Sequence, residues 1–342
     1  MVFSVVFGFF IGGVILAVIG ISPFEAYERL LTGIAGTPRN RMFSMRAATP
    51  IIFTGLSVTF AFKTGLFNIG AEGQYIIGSL VALVLGVTLQ LPPGIHGLVC
   101  IIGGGLAGAL WGGLAGLLKA YRGIHEVIIT IMLNWIAFYI SNLVVMSGRF
   151  HRPASEASIS ISESAQIFTT RFEERYGNVH FHWGMLLAVV MVFVVWIILN
   201  KTTLGFRLRA VGFNRNASEY SGINVPLCIF ASMGISGLLA GLGGATQVLG
   251  VLGNLTQLAN QEGLGFDGIA VAMIGGINPI GALFAGLFLG GMRFGSGRLN
   301  LIRVPTELVS VIIGTIIYSV AIMGAFRALV NFIKAKKEGR AV

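Results

Sequence analysis

Two segments of the chain place polar side chains where they could act inside apolar surroundings. The first segment, 63–78, carries Asn68, Glu72 and Gln74 at the mouth of an apolar run. The second surrounds Asp267, the only aspartate among the 13 acidic residues. A single aspartate excludes an EF-hand loop or an Asp-rich metal cluster. A carboxylate in apolar surroundings is costly, so it faces a protein interior or a watery cavity.

Glu72 supports a functional and a structural interpretation. Asn68 and Glu72 are four residues apart, so a helix would place them on one face, where they would line or gate a path. Alternatively, Glu72 forms an ion pair with Lys63 or caps a helix through backbone hydrogen bonds. An unwound turn is permitted in this segment by Gly65, Gly70 and Gly73.

Asp267, Asn134 and Gln247 are further candidates. Asp267 follows Gly-Phe and precedes Gly268, a pattern typical of a helix N-cap. Asn134 and Gln247 lie within apolar runs, where an amide either bridges two helices or contacts a substrate. The candidate substrate-path residues are Asn68, Glu72, Gln74, Asn134, Gln247 and Asp267.

Nothing in the sequence indicates covalent catalysis. The chain has no G-x-S-x-G, no H-E-x-x-H and no G-x-x-x-x-G-K-[ST] phosphate loop. The five histidines are scattered, so metal ligands at suitable spacing are not evident. We therefore expect no catalytic residue, no metal site and no cofactor on this chain.

The elements that position these residues follow from composition. The 342 residues are 55% hydrophobic and only 11% charged, against about 25% charged in soluble proteins. These values exclude an ordinary soluble domain, a disordered chain and a disulfide scaffold. Apolar runs lie near 1–20, 44–62, 66–89, 94–118, 127–147, 183–199, 226–251 and 305–326. The sequence predicts an all-α, polytopic membrane protein.

A further apolar stretch, 266–292, is interrupted by Asn278-Pro279. The residues before the interruption, 266–276, reach only about 16 Å as a helix, which is too short for a hydrocarbon core of about 30 Å. Such a half-span is tolerated only where it faces protein or a watery cavity. With a turn at Asn278-Pro279, we expect about ten membrane helices, short broken ones included.

Orientation is predicted from the polar segments. Segment 201–225 and the tail 331–342 are basic, which places both in the cytoplasm. The longest polar loop, 148–183, is then extracytoplasmic, and both termini are inside. The formal net charge of +10 is explained by a membrane surface rather than by nucleic acid, because the basic residues lie mostly between the apolar runs.

Glycine marks a packing face rather than a site of chemistry. Gly104, Gly108, Gly112 and Gly116 recur every four residues and share one side of a helix. In lipid, small residues at this spacing let two helix backbones approach closely. We expect tight packing of this helix against another.

Residues 205–225 resemble the coupling loop of ABC importer permeases. The residues that carry this resemblance are Arg209, Ala210, Gly212, Asn214, Ala217, Gly222 and Ile223, and Ser218 stands where an alanine is expected. The residues that the resemblance implies for coupling to the ATPase are Gly205, Arg207, Arg209, Ala210, Gly212, Asn214, Ala217 and Gly222. Segment 65–74 resembles a signature of the simple-sugar and nucleoside branch of these permeases, and its nucleoside members most. Segment 265–272 with Asn278-Pro279 is similar to a second signature of this branch. Segment 126–134 is similar to a third, and His125, directly before it, replaces a more usual asparagine.

The resemblance implies a single transmembrane permease domain, 1–342, in the bacterial plasma membrane. Its partners would be a cytoplasmic ABC ATPase docked on the coupling loop, a second permease subunit, identical or homologous, and an extracytoplasmic substrate-binding protein. ATP would be hydrolysed on the partner chain. The implied substrates are nucleosides, purine nucleosides above all.

Three alternatives remain open from the sequence. The first is an ABC importer of simple sugars. The second is an ion-driven secondary transporter with broken helices, in which Glu72 and Asp267 would bind the proton or cation. The third is a structural membrane scaffold.

Overall fold

The computed structural model describes residues 2–169, 181–302, 304–305, 307–320 and 322, and it is mainly helical. The helices are α1 (Val2–Val18), α2 (Pro23–Ala35), α3 (Pro38–Lys63), α4 (Ala71–Thr88), α5 (Ile95–Arg122), α6 (Glu126–Val145), α7 (Trp183–Lys201), α8 (Thr203–Phe213), α9 (Arg215–Tyr220), α10 (Val225–Gln247), α11 (Leu264–Ile274), α12 (Pro279–Ser296) and α13 (Glu307–Val320). The predicted tail 331–342 lies outside the described residues.

Six of the described helices are long and apolar enough to cross a membrane: α3, α4, α5, α6, α7 and α10 with its extension to Leu252. The helices α1, α11 and α13 are apolar but shorter. The predicted apolar runs therefore correspond to helices, and the all-α, multi-pass architecture is confirmed.

Two local predictions differ from the structure. The apolar run 66–89 is helical only from Ala71, because the chain turns at Gly65, whose φ of +68° suits glycine. Helix α2 lies between the first two predicted apolar runs, where the sequence analysis predicts no element. It is short and carries charged residues, so apolar run length does not reveal it, although Ser22 caps its start by accepting from the Glu25 N–H.

The chain forms two compact units, 1–37 with 292–342 and 38–291. In the first unit, α1 and α2 pack together, and the Tyr27 hydroxyl donates to the Phe9 carbonyl oxygen. The α1 glycine Gly8 lies against Ile316 of α13. The second unit contains α3 to α11 and most of α12, together with the candidate site residues.

The glycine ladder of α5 packs on α10, as the sequence predicts. A Cβ atom on Gly108 would lie 2.3 Å from the Gly237 carbonyl oxygen, and one on Gly104 would lie 2.7 Å from the Gly78 carbonyl oxygen of α4. Since a real Cβ does not fit at either distance, the backbones of α4, α5 and α10 are in direct contact. This contact is the most extensive one between helices of the second unit in the described residues.

The broken element is also confirmed. Helix α11 ends at Ile274, and α12 begins at Pro279, where the Asn278 side chain accepts from the Ile280 N–H at 2.9 Å. Both helices pack along α3: Gly55 meets Val271 of α11, and Gly286 of α12 meets Ile52. The 11 residues of α11 form a half-helix of about 16 Å.

Segment 148–169 packs on the end of α10. There α10 continues as a π-helical segment, Val248–Leu252, and the Ile167 N–H donates to the Leu249 carbonyl oxygen at 3.2 Å. A two-residue antiparallel ladder pairs Phe168 with His182. The His182 ring is fully buried beside Gly250, where a Cβ atom would lie 2.7 Å from the ring.

Candidate functional site

The Glu72 carboxylate binds the N-terminus of the half-helix α11. It is fully buried and accepts hydrogen bonds from the N–H groups of Gly263, at 2.8 Å, and Gly265, at 2.5 Å. The first N–H groups of a helix have no partner within the helix, and the helix dipole there favours a negative charge. Of the two structural alternatives for Glu72, the geometry matches the backbone-bonded cap.

The start of α11 is held between two other helices. A Cβ atom on Gly265 would lie 2.2 Å from the Glu72 nitrogen, so α11 and α4 touch through backbone. From α3, the Thr54 hydroxyl donates to the Leu264 carbonyl oxygen at 2.8 Å. The chain therefore fixes this helix end inside the protein without a solvent-facing cap.

The interpretation of Asp267 as a helix N-cap is wrong. The N-cap of α11 is Gly263, in the left-handed region at φ +80°, and Asp267 lies within the first turn, with its N–H donating to the Gly263 carbonyl oxygen. The Glu72 carboxylate of α4 caps α11 instead, and α11 begins at Leu264, three residues before Asp267. The Asp267 side chain is half-buried.

Asn68 is the centre of a buried polar cluster. The four-residue spacing predicts that Asn68 and Glu72 share a helix face, but they do not, because α4 begins only at Ala71. Asn68 lies in the turn before α4, where its Oδ1 accepts from the Gly70 N–H at 2.9 Å. Its Nδ2 donates to Gln74 Oε1 at 2.9 Å and to Ser236 Oγ of α10 at 2.7 Å. The cluster fastens the turn 64–70 to α10.

Asn134 fastens α6 to the same turn. Its Oδ1 accepts from the Gly73 N–H at 2.8 Å, and its Nδ2 donates to the Ile69 carbonyl oxygen at 3.1 Å. Nearby, His125 caps α6, with Nδ1 accepting from the Val127 N–H at 3.3 Å. A histidine at this position thus performs the capping that an asparagine side chain also provides.

The structure brings four of the six predicted path residues together, places Asp267 in the first turn of α11 and leaves Gln247 apart. Asn68, Glu72, Gln74 and Asn134 surround the start of α4, are buried and bind other parts of the chain. Gln247 lies eleven residues beyond Ser236 on α10, about 16 Å along the helix axis. The assembled residues hydrogen-bond to one another and to the backbone, so they hold the turn 64–70 and the start of α11 in place.

The predicted coupling segment forms a hairpin of two short helices, α8 and α9. Thr202 caps α8 by accepting from the Gly205 N–H at 3.1 Å, and Asn214 caps α9 by accepting from the Ala217 N–H at 3.1 Å. Gly222, at φ +80°, lies just past the end of α9. Several of the predicted coupling residues therefore shape the hairpin.

One glycine joins this hairpin to the turn that carries Asn68. A Cβ atom on Gly212 would lie 2.4 Å from the Lys63 carbonyl oxygen at the end of α3. One residue further, the Thr64 hydroxyl accepts from Ser232 of α10 at 2.8 Å. A displacement of α8 would thus press directly on the backbone between α3 and α4.

The outward surface of the hairpin includes two aromatic residues that the sequence analysis does not single out. Phe213 is 91% exposed and Tyr220 is 95% exposed. Arg207 is also exposed, whereas Arg209 is half-buried, with Nε donating to the Gly205 carbonyl oxygen at 3.4 Å. Aromatic residues inside a short polar segment are the sequence feature that could have identified this surface, because a hairpin that contacts only solvent does not need exposed aromatic side chains.

Comparison with known proteins identifies relatives along almost the whole chain. The family model described as "Branched-chain amino acid transport system / permease component" matches residues 40–321. The chain is 39% identical to the guanosine ABC transporter permease protein NupP of Bacillus subtilis, covering 98% of this chain and 96% of that protein. It is 33% identical to the nucleoside ABC transporter permease protein NupB of Lactococcus lactis, covering 99% and 94%.

A more distant relative is the glucose ABC transporter permease protein TsgB13 of Haloferax volcanii, which is 28% identical over 88% of this chain and 81% of that protein. The family match, the relatives at more than 30% identity over nearly full length and the six apolar spans agree with one another. The chain is a multi-pass plasma-membrane protein that belongs to the family of ABC-transporter permease components of the branched-chain amino acid transport type.

Proposed function

We propose that this chain is the permease subunit of an ATP-driven importer of nucleosides, with purine nucleosides as the favoured substrates. The observation that carries this proposal is near-complete coverage by guanosine and nucleoside permeases at 39% and 33% identity. A simple-sugar importer is the second candidate, supported by the glucose permease relative at 28% identity.

The hairpin of α8 and α9 is the proposed docking site for the ATPase. Exposed aromatic residues anchor many protein interfaces, because they bury a large area at a small cost in side-chain entropy. Phe213 and Tyr220 provide such anchors, and Arg207 adds a cationic group. Movement of the hairpin would pass through Gly212 to the turn 64–70, and from there to α4 and α10. The chain itself then needs no cofactor, since ATP is bound on the partner.

The membrane topology is part of the proposal. We assign the six long apolar helices, the three shorter ones and α12 as the membrane elements of this proposal, in keeping with the expected number of about ten. With the hairpin in the cytoplasm, both termini are inside and segment 148–183 is outside. The complete transporter would pair this chain with an identical or homologous permease and receive substrate from an extracytoplasmic binding protein.

Reconstitution tests this function. The chain is co-expressed with its ATPase, second permease and binding protein, and uptake of tritiated guanosine into vesicles is measured with and without ATP. We expect ATP-dependent uptake of guanosine in preference to glucose. Uptake that follows an ion gradient and needs no ATPase would overturn the proposal. Preferential uptake of glucose would overturn the assignment of nucleosides as substrates and favour the simple-sugar importer.

The docking site has its own test in Arg209→Glu and Phe213→Ala. Both variants should lower ATP-driven uptake and ATPase co-purification by about tenfold, the effect of removing a good interface anchor. Arg149→Glu is the matched control, because Arg149 is exposed in the segment assigned to the other side of the membrane. Unchanged uptake and co-purification in both hairpin variants would refute docking at this surface.

A further inference from the structure

Lys63 ends α3 beside the coupling hairpin, and it has no acidic partner among the described residues. The sequence analysis offers Glu72 as that partner, but Glu72 binds the N–H groups of Gly263 and Gly265, and the ion pairs within the described chain do not include Lys63. The Lys63 side chain is half-buried, so its ammonium group has lost part of its contact with water. A cation that is partly removed from water is normally balanced by a nearby negative charge.

A second cation lies beside the first. The backbone of α8 touches the end of α3 at Gly212, and Arg209 lies three residues earlier, on the same face of α8. The positive charge of Arg209 is close enough to repel that of Lys63. Arg209 is half-buried as well, and its Nε donates to the Gly205 carbonyl oxygen rather than to an acid. The joint between the hairpin and α3 therefore combines two cations that form no ion pair in the described chain.

The rest of the hairpin does not supply the missing negative charge. Segment 201–225 contains a single acid, Glu219, and four basic residues, Lys201, Arg207, Arg209 and Arg215. Glu219 is exposed on α9 and forms no ion pair with any residue that the structure describes. Where α5 leads into α6, by contrast, the Lys119 ammonium group is 2.7 Å from the Glu126 carboxylate. The joint thus lacks an acidic partner of the kind that another half-buried lysine of this chain has.

The charges at the joint select the chemistry of a binding partner. Like charges in a partly buried position repel each other more strongly than in bulk water, because the effective dielectric constant is lower. A carboxylate placed between the two cations would remove this repulsion and accept charge-assisted hydrogen bonds from both. The planar guanidinium group of an arginine also matches the two oxygens of a carboxylate. Charge complementarity therefore favours an acidic side chain.

The surroundings of the joint favour a protein as the source of that acid. Phe213, which directly follows Gly212, is 91% exposed, and Tyr220 on α9 is 95% exposed. Protein interfaces are enriched in aromatic residues and arginine, and their binding energy is concentrated in such anchors. The two cations and the two aromatic residues belong to one hairpin and the helix end that it touches, so one partner could contact all of them.

We propose that an aspartate or glutamate side chain of the partner ATPase inserts between Lys63 and Arg209 and ties the hairpin to the end of α3. This inference rests on the proposed function and adds Lys63, a residue outside the hairpin, to the docking surface. Thr64, the next residue, accepts a hydrogen bond from Ser232 of α10. A movement of the ATPase would thus reach the turn 64–70 and α10 directly, without passing along α8.

Carbodiimide cross-linking of the purified complex tests this pairing. The reagent joins a lysine amine to a carboxylate in contact with it, so Lys63 should become linked to an acidic residue of the ATPase, which peptide mass spectrometry identifies. Lys63→Arg keeps the positive charge but removes the amine, and the cross-link should disappear at an equal amount of bound ATPase. Lys201→Arg is the matched control, because Lys201 is exposed at the end of α7, with its ammonium group over the Trp196 ring. The Lys63 cross-link should remain in this control.

Charge reversal tests the contribution of the pair to coupling. Lys63→Glu places a repelling carboxylate at the joint, so ATPase co-purification and ATP-driven guanosine uptake should fall by about tenfold. Arg122→Glu is the control at the exposed end of α5, and both measurements should stay within about twofold of wild type. Replacing the cross-linked ATPase acid by lysine should restore co-purification with Lys63→Glu, a result that a misfolded variant cannot give.

The outcomes separate the two proposals. If the wild-type chain neither binds an ATPase nor supports ATP-dependent uptake, the proposed function fails. If it does both, the inference is overturned when no cross-link maps to Lys63 and Lys63→Glu behaves like Arg122→Glu. It is also overturned when the Lys63→Glu defect occurs in vesicles that contain phosphatidylglycerol but not in pure phosphatidylcholine, since the partner is then a lipid headgroup. A Lys63 cross-link together with rescue by the reversed ATPase residue supports it.

Discussion

Replacing Glu72 by glutamine tests whether this carboxylate holds α11 or meets the substrate. The carboxylate accepts from two N–H groups, at 2.8 and 2.5 Å. Glutamine keeps one carbonyl oxygen, so one N–H group loses its acceptor and faces an NH₂ group instead. The change is close to isosteric, and the packing of α4 on Gly265 is retained.

The expected loss of stability follows from these contacts. A hydrogen bond to a charged group contributes about 1.5–3 kcal/mol, and a negative charge at a partly buried helix N-terminus adds up to about 2 kcal/mol. The neutral amide avoids part of the cost of burying a charge, which offsets part of this sum. We therefore expect Glu72→Gln to lower the free energy of unfolding by about 2–3 kcal/mol.

Thermal unfolding of the detergent-purified protein measures this loss. At about 2–4 °C per kcal/mol for larger domains, the midpoint should fall by about 5–10 °C. Glu28→Gln serves as the control, because Glu28 is an exposed acid on α2, and its midpoint should stay within about 1 °C of wild type. A wild-type midpoint in Glu72→Gln together with lost transport would refute the capping argument and return Glu72 to the substrate path.

Two further predictions concern packing and pH. Gly108→Ala should destabilise the protein by about 1–3 kcal/mol, because its Cβ would lie 2.3 Å from the Gly237 carbonyl oxygen. The control Gly234→Ala should be neutral or slightly stabilising, since the nearest atom to its Cβ is 3.7 Å away. Equal midpoints of the two variants in thermal unfolding would contradict this prediction. Burial, with the positive charge of Arg46, lowers the pKa of His182 to about 4, against about 6.5 in an unfolded chain. Between these two pKa values the unfolded state binds more protons than the folded state. The contribution of His182 to the free energy of unfolding is therefore fully present above pH 6.5, and it decreases as the pH drops, by about 3 kcal/mol at pH 4. Unfolding midpoints measured from pH 7.5 to 4.5 should fall less steeply in His182→Leu than in wild type, and identical slopes would refute the assignment.

Much of the fold could be predicted from local sequence properties. Long apolar runs identify α3 to α7 and α10, because crossing a bilayer requires about 20 apolar residues. The break at Asn278-Pro279 reveals α11 and α12, and the four-residue glycine spacing reveals the α5 face that meets α10. Each of these features is encoded within a single element, so the pattern alone is sufficient.

The details of the site depend on contacts between distant segments. Glu72 finds its partner at Gly263, and nothing near Glu72 in the sequence marks that pairing. Asp267 has the local features of an N-cap, but a carboxylate from another helix takes that role.

The pairing of Glu72 with α11 also has a consequence for biosynthesis. The carboxylate and the Gly263 N–H are 191 residues apart in the chain. At about 5–20 residues per second, α4 is made roughly 10–40 s before the backbone that satisfies its carboxylate. During this time Glu72 must remain protonated or hydrated, so α4 can settle fully into lipid only late, when α11 arrives. The membrane insertion machinery therefore has to shield α4 until about three quarters of the chain has been translated.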